Sequence, residues 1–154
     1  MNILKYETKY YDAVKSIELL EEDLRFAKPP LENLASARKN ENRHPTLVME
    51  GQQCLAFFTL HEGDGPESYS SNPNAIFFRS FVVDSRYRGK GIGKYVIQQL
   101  DQYIKEVYPH INEIVLVVNT DNPKAKYIYE QAGYRHTGKS TMIGKPVYVM
   151  SHTI

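Results

Sequence analysis

Residues 81–94 read FVVDSRYRGKGIGK. An apolar run from Ala75 to Val83 leads into this stretch and predicts a buried strand that stops at Asp84. A short basic, glycine-rich loop follows, Arg86 to Gly93. Beyond it Tyr95, Val96, Ile97, Leu100, Ile104 and Val107 recur at helical spacing, and Pro109 stops that helix after about Tyr108. The order is strand, glycine loop, helix.

This order suits an anion for a physical reason. A helix start leaves backbone N–H groups unpaired and carries partial positive charge. Gly89, Gly91 and Gly93 put no side chain in the way and tolerate unusual backbone angles. Arg86, Arg88, Lys90 and Lys94 add full positive charges, which makes a cradle for a phosphate or pyrophosphate. A plain strand-to-helix turn would also use glycines for geometry and lysines for solubility. The alternating glycines and the density of cations favour the cradle.

Two familiar nucleotide motifs do not fit. A P-loop needs G-x-x-x-x-G-K-[ST], but Gly93-Lys94 is followed by Tyr95, and Arg88 stands where the first glycine belongs. The dinucleotide fingerprint G-x-G-x-x-G, begun at Gly89 and Gly91, would require its third glycine at Lys94. A nucleotide hydrolase is disfavoured accordingly.

Working outward, the chain of 154 residues reads as one domain over its whole length, able to bury roughly 70% of its unfolded surface. A formal net charge of +1 and the lack of a long basic block give no reason to expect nucleic acid. No apolar run approaches the ~20 residues that span a bilayer, and the first residues lack a signal peptide's apolar core. The expectation is a cytoplasmic protein without a membrane partner. Cys54, the single cysteine, sits in an apolar run and reads as a small buried hydrophobe. The five histidines are scattered without ligand spacing, so no metal is expected.

Upstream, Asn2 to Glu7 predicts a strand, and Asp12 to Leu24 a helix whose end is acidic through Glu18, Glu21, Glu22 and Asp23. Such a run is usually a solvated face; it could also attract a cationic acceptor. Pro29 and Pro30 introduce a helix from Leu31 to Lys39 with Leu34 and Ala35 inward. Asn40 to His44 reads as a polar loop. Thr46 to Glu50 and Gln53 to Leu60 predict a hairpin around Gly51-Gln52. His61 to Asn74 is the longest loop, either mobile or lying over a site, or else an insertion without a role. Arg79 interrupts the central strand and needs a partner or an open pocket.

Downstream, Glu113 to Val118 is another buried strand. Asn122 suits a cap and Pro123 the first turn of a helix that Gly133 ends. Tyr134 to Thr141 and Pro146 to Thr153 predict a terminal hairpin around Gly144-Lys145. The coarse order is β-α-α-β-β-β-α-β-α-β-β.

Arg88-x-x-Gly91-x-Gly93 after a strand resembles the pyrophosphate-binding signature of the GNAT acyltransferases, N-acetyltransferases that use acetyl-CoA. The series Leu116-x-Val118-x-x-x-Asn122-x-x-Ala125-x-x-Ile128-Tyr129-x-x-x-Gly133-Tyr134 resembles that family's second signature. The two motifs cover about a third of the chain, and the element order resembles that fold throughout. The resemblance implies an α/β (α+β) fold: a central mixed, mostly antiparallel sheet flanked by about four helices.

The resemblance also implies roles. Backbone groups of Phe81, Val82 and Val83 would run along the pantetheine amides. N–H groups of Arg88, Gly89, Lys90, Gly91, Ile92, Gly93 and Lys94 would hold the pyrophosphate. Asn122 would contact the pantetheine arm, although it could be only a cap. Tyr129 would point at the thioester sulfur, although its spacing also suits plain core. An ordinary tyrosine, with a pKa near 10, stays protonated at neutral pH and can donate to a departing thiolate. Many members carry an acidic base on the fourth strand. Here that strand has no carboxylate, and Asp84 at its end could be a base or a cap, so the base stays unassigned.

The implied reaction is acetyl transfer from acetyl-CoA to a primary amine. The acidic segment, with Glu62, Asp64 and Glu67, would suit a small cationic amine such as a polyamine. The sequence around Phe81 and the chain size also resemble bacterial diamine and polyamine acetyltransferases. A peptide or protein amine is the alternative acceptor, and a non-catalytic acyl-CoA-binding module the alternative class. A homodimer is left open.

Overall fold

Val, Ile and Phe concentrate in the runs that become strands, where branched and aromatic side chains pack well on a pleated surface. In the computed structural model, which describes residues 1–25 and 27–154, these are β1 (Asn2–Lys5), β2 (Arg43–Glu50), β3 (Gln53–His61), β4 (Ala75–Val83), β5 (Glu113–Asn119), β6 (Arg135–Met142) and β7 (Lys145–Thr153). The helices are α1 (Tyr11–Lys15), α2 (Pro30–Lys39), α3 (Ile92–Val107) and α4 (Pro123–Gln131). The strands form one sheet in the order β1-β2-β3-β4-β5-β7-β6. Every pair is antiparallel except β4–β5. The order of elements and the mixed, mostly antiparallel sheet match the sequence expectation.

The sheet is covered on both faces. On one, Val96, Leu100 and Ile104 of α3 pack on Phe58, Ile76, Phe78 and Leu116. On the other, Val14 of α1 and Leu34 of α2 pack on Leu47, Phe57 and Val82. Cys54 is buried in that second cluster. Burial pushes its thiol up to about 12, which keeps it an inert hydrophobe. No helix of the described residues is long and apolar enough to cross a membrane.

Four local expectations are corrected. The helix predicted from Asp12 to Leu24 is broken: α1 ends at Lys15, and a separate 3₁₀ turn covers Glu21–Arg25. The backbone between them bonds elsewhere. Glu18 N–H donates to Asp84 Oδ2 at 3.0 Å, Ser85 N–H donates to Glu18 C=O at 2.8 Å, and Leu20 N–H donates to Asp23 Oδ2 at 2.7 Å. In α2 the inward pair is Asn33 and Leu34, while Ala35 is exposed. Asn33 is tolerated inside because its amide donates to the Lys28 and Pro29 carbonyls and its oxygen accepts from Thr59 Oγ1. β2 begins at Arg43, within the expected polar loop, because β3 runs on to His61 and pairs with it. The terminal hairpin turns at Ile143-Gly144, one residue early, with Ile143 at φ +52°. A branched residue there is strained, and no sequence signal announces it.

The loop after β3 is docked rather than loose. Tyr69 packs on Phe77 with ring centroids 5.1 Å apart. Ser70 Oγ donates to Glu113 Oε1 at 2.6 Å, and Asn72 Nδ2 to Asn112 Oδ1 at 2.7 Å.

Candidate active site

β4 and β5 pair only at Ala75–Phe77 against Glu113–Val115. Beyond Phe77 the two strands part, and β4 keeps only its β3 partner. Ser80 lies at φ +58°, and the β3–β4 register shifts between Phe57 and Thr59, so the strand is bulged where it separates. The opening is a cleft of about 580 Å³, walled by residues 77–81, by residues 116–119, by α4 and by the Glu21–Arg25 turn. Backbone groups of β4 that face the gap can accept an added extended chain.

Three of the expected site residues meet in this cleft: Phe81, Asn122 and Tyr129. Asn122 Oδ1 accepts from Ala125 N–H at 3.1 Å, so it does cap α4 while lining the cleft. Tyr129 is half-buried, edge-on to Tyr134 at 5.5 Å. Burial pushes its phenol well above the ordinary tyrosine range, so it keeps its proton at neutral pH.

Val82 and Val83 do not line the cleft with their side chains. Val82 is buried against the α1–α2 face, and Val83 packs on the α3 side. Only their backbone is available to a ligand. The same holds for Ile92, whose side chain is 4% exposed in the core.

The glycine loop stands beside the cleft at the start of α3. Gly91 is the N-cap at φ +80°, and no side chain caps that helix. Gly89 lies at φ +75°. A Cβ at either position would meet nothing within 4 Å, so the outer surface of the turn is open. An uncapped, open helix start with left-handed glycines fits a pyrophosphate.

The loop's charges are not all free. Arg86 is taken by Asp84: Nε donates to Oδ1 at 3.0 Å and Nη2 to Oδ2 at 2.8 Å. Arg88 pairs with Asp23. Among the described residues Lys90 and Lys94 have no carboxylate partner; Lys90 lies over the Tyr87 ring at 5.8 Å.

Asp84 is a clamp and not a base. It is fully buried, and its carboxylate accepts from Glu18 N–H, from Arg86 N–H and from the Arg86 guanidinium. Burial alone would raise its pKa, but the Arg86 and backbone hydrogen bonds outweigh it and hold the group below the usual range. No lone pair is left to face the cleft.

The acidic segment divides as well. Glu22 and Asp23 line the cleft, with Asp23 engaged by Arg88. Arg25, Asp121 and Met142 also line it and were not singled out by the sequence, since nothing in their spacing distinguishes them. Glu62 and Asp64 lie outside this cleft. Glu62 binds His44 and His110 at 2.6 Å each, and Asp64 binds His61 at 3.0 Å. No group of three or more potential ligands for a metal ion comes together among the described residues.

Comparison with known proteins agrees with this geometry. The model of the acetyltransferase (GNAT) family matches residues 7–134. An uncharacterized N-acetyltransferase of Bacillus subtilis, YbbJ, is 30% identical over 135 residues, covering 87% of this chain and 84% of the relative. The spermine/spermidine N(1)-acetyltransferase of the same organism is 32% identical over 104 residues, covering 67% and 66%. The spermidine N-acetyltransferase of Vibrio cholerae, solved with CoA and spermine, superposes with a TM-score of 0.75 at 17% identity, over 99% of this chain and 94% of that one. An aminoglycoside acetyltransferase solved with coenzyme A and kanamycin superposes with a TM-score of 0.74 at 16% identity, over 99% and 95%. With the glycine loop, the parted strands and Tyr129 in place, the chain belongs to the GNAT acetyltransferase family and is an N-acetyltransferase.

Proposed function

We propose that this chain, acting as one catalytic domain over residues 1–154, moves the acetyl group of acetyl-CoA to the primary amine of a small cationic acceptor by direct attack on the thioester. The carrying observation is the path that runs from the open start of α3, which follows β4 in the chain, to the unpaired side of β4 and the cleft it shares with Tyr129. That path has the sequence of surfaces CoA needs: N–H groups and cations for a pyrophosphate, a free strand edge for two amides, and a protonated phenol. A cytoplasmic location goes with this reading.

In the reaction, acetyl-CoA supplies the activated acyl group. N–H groups of Arg88 to Lys94 hold its pyrophosphate, and the backbone of Phe81 to Val83 with Asn122 positions the arm. A backbone N–H near Val82 or Val83 donates to the developing oxyanion. The amine must arrive neutral; its proton leaves to a base or a water relay, and β4 carries no carboxylate to serve as that base. Tyr129 gives its proton to the departing sulfur.

Support for a cationic acceptor comes from Glu22 and Asp121, which line the cleft without an ion-pair partner among the described residues, and from the spermine/spermidine acetyltransferase relative. The test is a panel of small amines, polyamines and peptides, with acetyl-CoA and detection of released thiol and acetylated product. Turnover on small amines with little on peptides is expected. Preference for peptides would move the acceptor to the alternative class, and no turnover on any amine would defeat the proposal.

A further inference from the structure

Arg79 is not used by the reading above, although it lines the same cleft. It lies on β4, two residues before Phe81, next to the bulge at Ser80. Its guanidinium stacks over the Phe77 ring at 4.9 Å. Nη1 donates to His61 Nδ1 at 3.2 Å, and the buried Nε has no hydrogen-bond partner. No carboxylate among the described residues forms an ion pair with it; it is a half-buried cation without a counter-charge.

The nearest acid cannot serve. Asp64 Oδ1 accepts from His61 Nε2 at 3.0 Å and from Asn42 Nδ2 at 3.1 Å, and its Oδ2 from Asn40 Nδ2 at 3.1 Å. These partners fix the His61 tautomer: Nε2 carries the proton, and Nδ1 offers a lone pair to Arg79. Burial, together with the neighbouring Arg43 and Arg79 charges, outweighs the Asp64 hydrogen bond and holds His61 below its ordinary pKa, so the ring stays neutral. The chain Asp64–His61–Arg79 thus orients the guanidinium from behind without neutralising it.

Desolvating a cation is costly unless a ligand compensates it. Nε is closed to solvent, so the donor left for a ligand in the cleft is Nη2, which makes no hydrogen bond among the described residues. Arginine's planar fork matches a carboxylate. Among the described residues the cleft therefore carries unpaired Glu22, Asp121 and Arg25 on its exposed wall, and Arg79 as the half-buried unpaired cation on β4. Resting on the amine acetyltransferase reading, we propose that Arg79 is an acceptor-specificity residue that binds a carboxylate, so that the acceptor is an amine that also bears a carboxylate.

Matched probes isolate that group. Lysine differs from cadaverine, and ornithine from putrescine, only by the carboxylate. Their binding to the CoA-bound protein is measured by calorimetry, and their turnover with acetyl-CoA by thiol release. The carboxylated member of each pair should bind more tightly by about ten- to a hundredfold, the scale of a hydrogen bond to a charged group. Arg79→Gln should erase that difference through KM, leaving kcat and the uncarboxylated amines nearly unchanged. Arg79→Lys, which keeps the charge, should restore part of it and guards against a folding defect in the glutamine variant.

Equal binding within each pair, no binding of any of the four, or an equal loss on all of them in Arg79→Gln would overturn the assignment. Carboxylate-selective binding without turnover on any amine would support the Arg79 site while defeating the acetyltransfer reaction. The two readings therefore fail separately.

Discussion

Tyr129 carries the sharpest residue-scale expectation. Its ring belongs to the core beneath the cleft, while its phenol stays protonated through burial. Tyr129→Phe keeps the ring and removes the donor. Turnover should fall about 10²–10⁴-fold, the range for a lost general acid, with CoA affinity and melting temperature nearly unchanged. Comparing steady-state kinetics, CoA titration and thermal unfolding on the same variant checks this; full turnover would remove Tyr129 from the mechanism. Its role as a candidate was legible in the sequence because the spacing from Asn122 is two helical turns. That Asn122 and Tyr129 face a gap between strands was not, because the gap depends on where β4 and β5 stop pairing.

At the scale of elements, the glycine loop and the Glu21–Arg25 turn are linked by the Arg88–Asp23 pair. The cation expected to meet a pyrophosphate is therefore held by a carboxylate of the cleft wall. Asp23→Asn should release it and lower the CoA dissociation constant by about two- to fivefold, the worth of an ion pair that stays open to solvent on its Arg88 side. The effect should fade at high salt, since exposed charges are screened. An unchanged constant at low salt would show that the pair does not compete with CoA. The loop itself is tested by two substitutions at Gly91. Gly91→Ala meets no neighbour, and its φ of +80° should cost only about 1 kcal/mol of stability while CoA still raises the melting temperature. Gly91→Glu adds bulk and negative charge to the cradle and should abolish that rise. A glutamate variant that still binds CoA as tightly as wild type would move the pyrophosphate elsewhere.

For the whole molecule, stability against acid follows from carboxylates held low in the folded state. Asp64 is held at about 2, first by the Asn42 hydrogen bond and then by His61. Asp84 is also depressed, with Arg86 hydrogen bonds outweighing the effect of burial. An unfolded aspartate titrates near 3.9. Groups of this kind contribute stability that is complete above that value and is lost as pH falls through their folded pKa. The urea midpoint should therefore be flat above about pH 5 and drop below about pH 4. Asp84→Asn should lower the midpoint at pH 7 and converge on wild type toward pH 2. Equal loss at both pH values would mean that packing, rather than charge, explains the clamp. The clamp matters globally because it fastens the segment after α1 to the end of β4 and so shapes one wall of the cleft.

The order of strands and helices was determined by the sequence alone, because periodicity and turn residues are local. Ala75 to Val83 is apolar on both faces, Pro123 and Gly133 bound a helix, and left-handed angles select glycine at Gly89 and Gly91. The glycine loop and the Tyr129 motif were legible for the same reason. Tertiary structure decided the rest. Glu18 bonds across 66 residues to Asp84 instead of continuing a helix. Arg86 and Arg88 are engaged by Asp84 and Asp23 rather than left free for a ligand. Arg79 was visible as an anomaly in an apolar strand, but its meaning required His61, 18 residues away, to be neutral and beside it. Hydrogen bonds and charges choose partners by distance in space, and a one-dimensional pattern holds no record of that distance until the chain has folded.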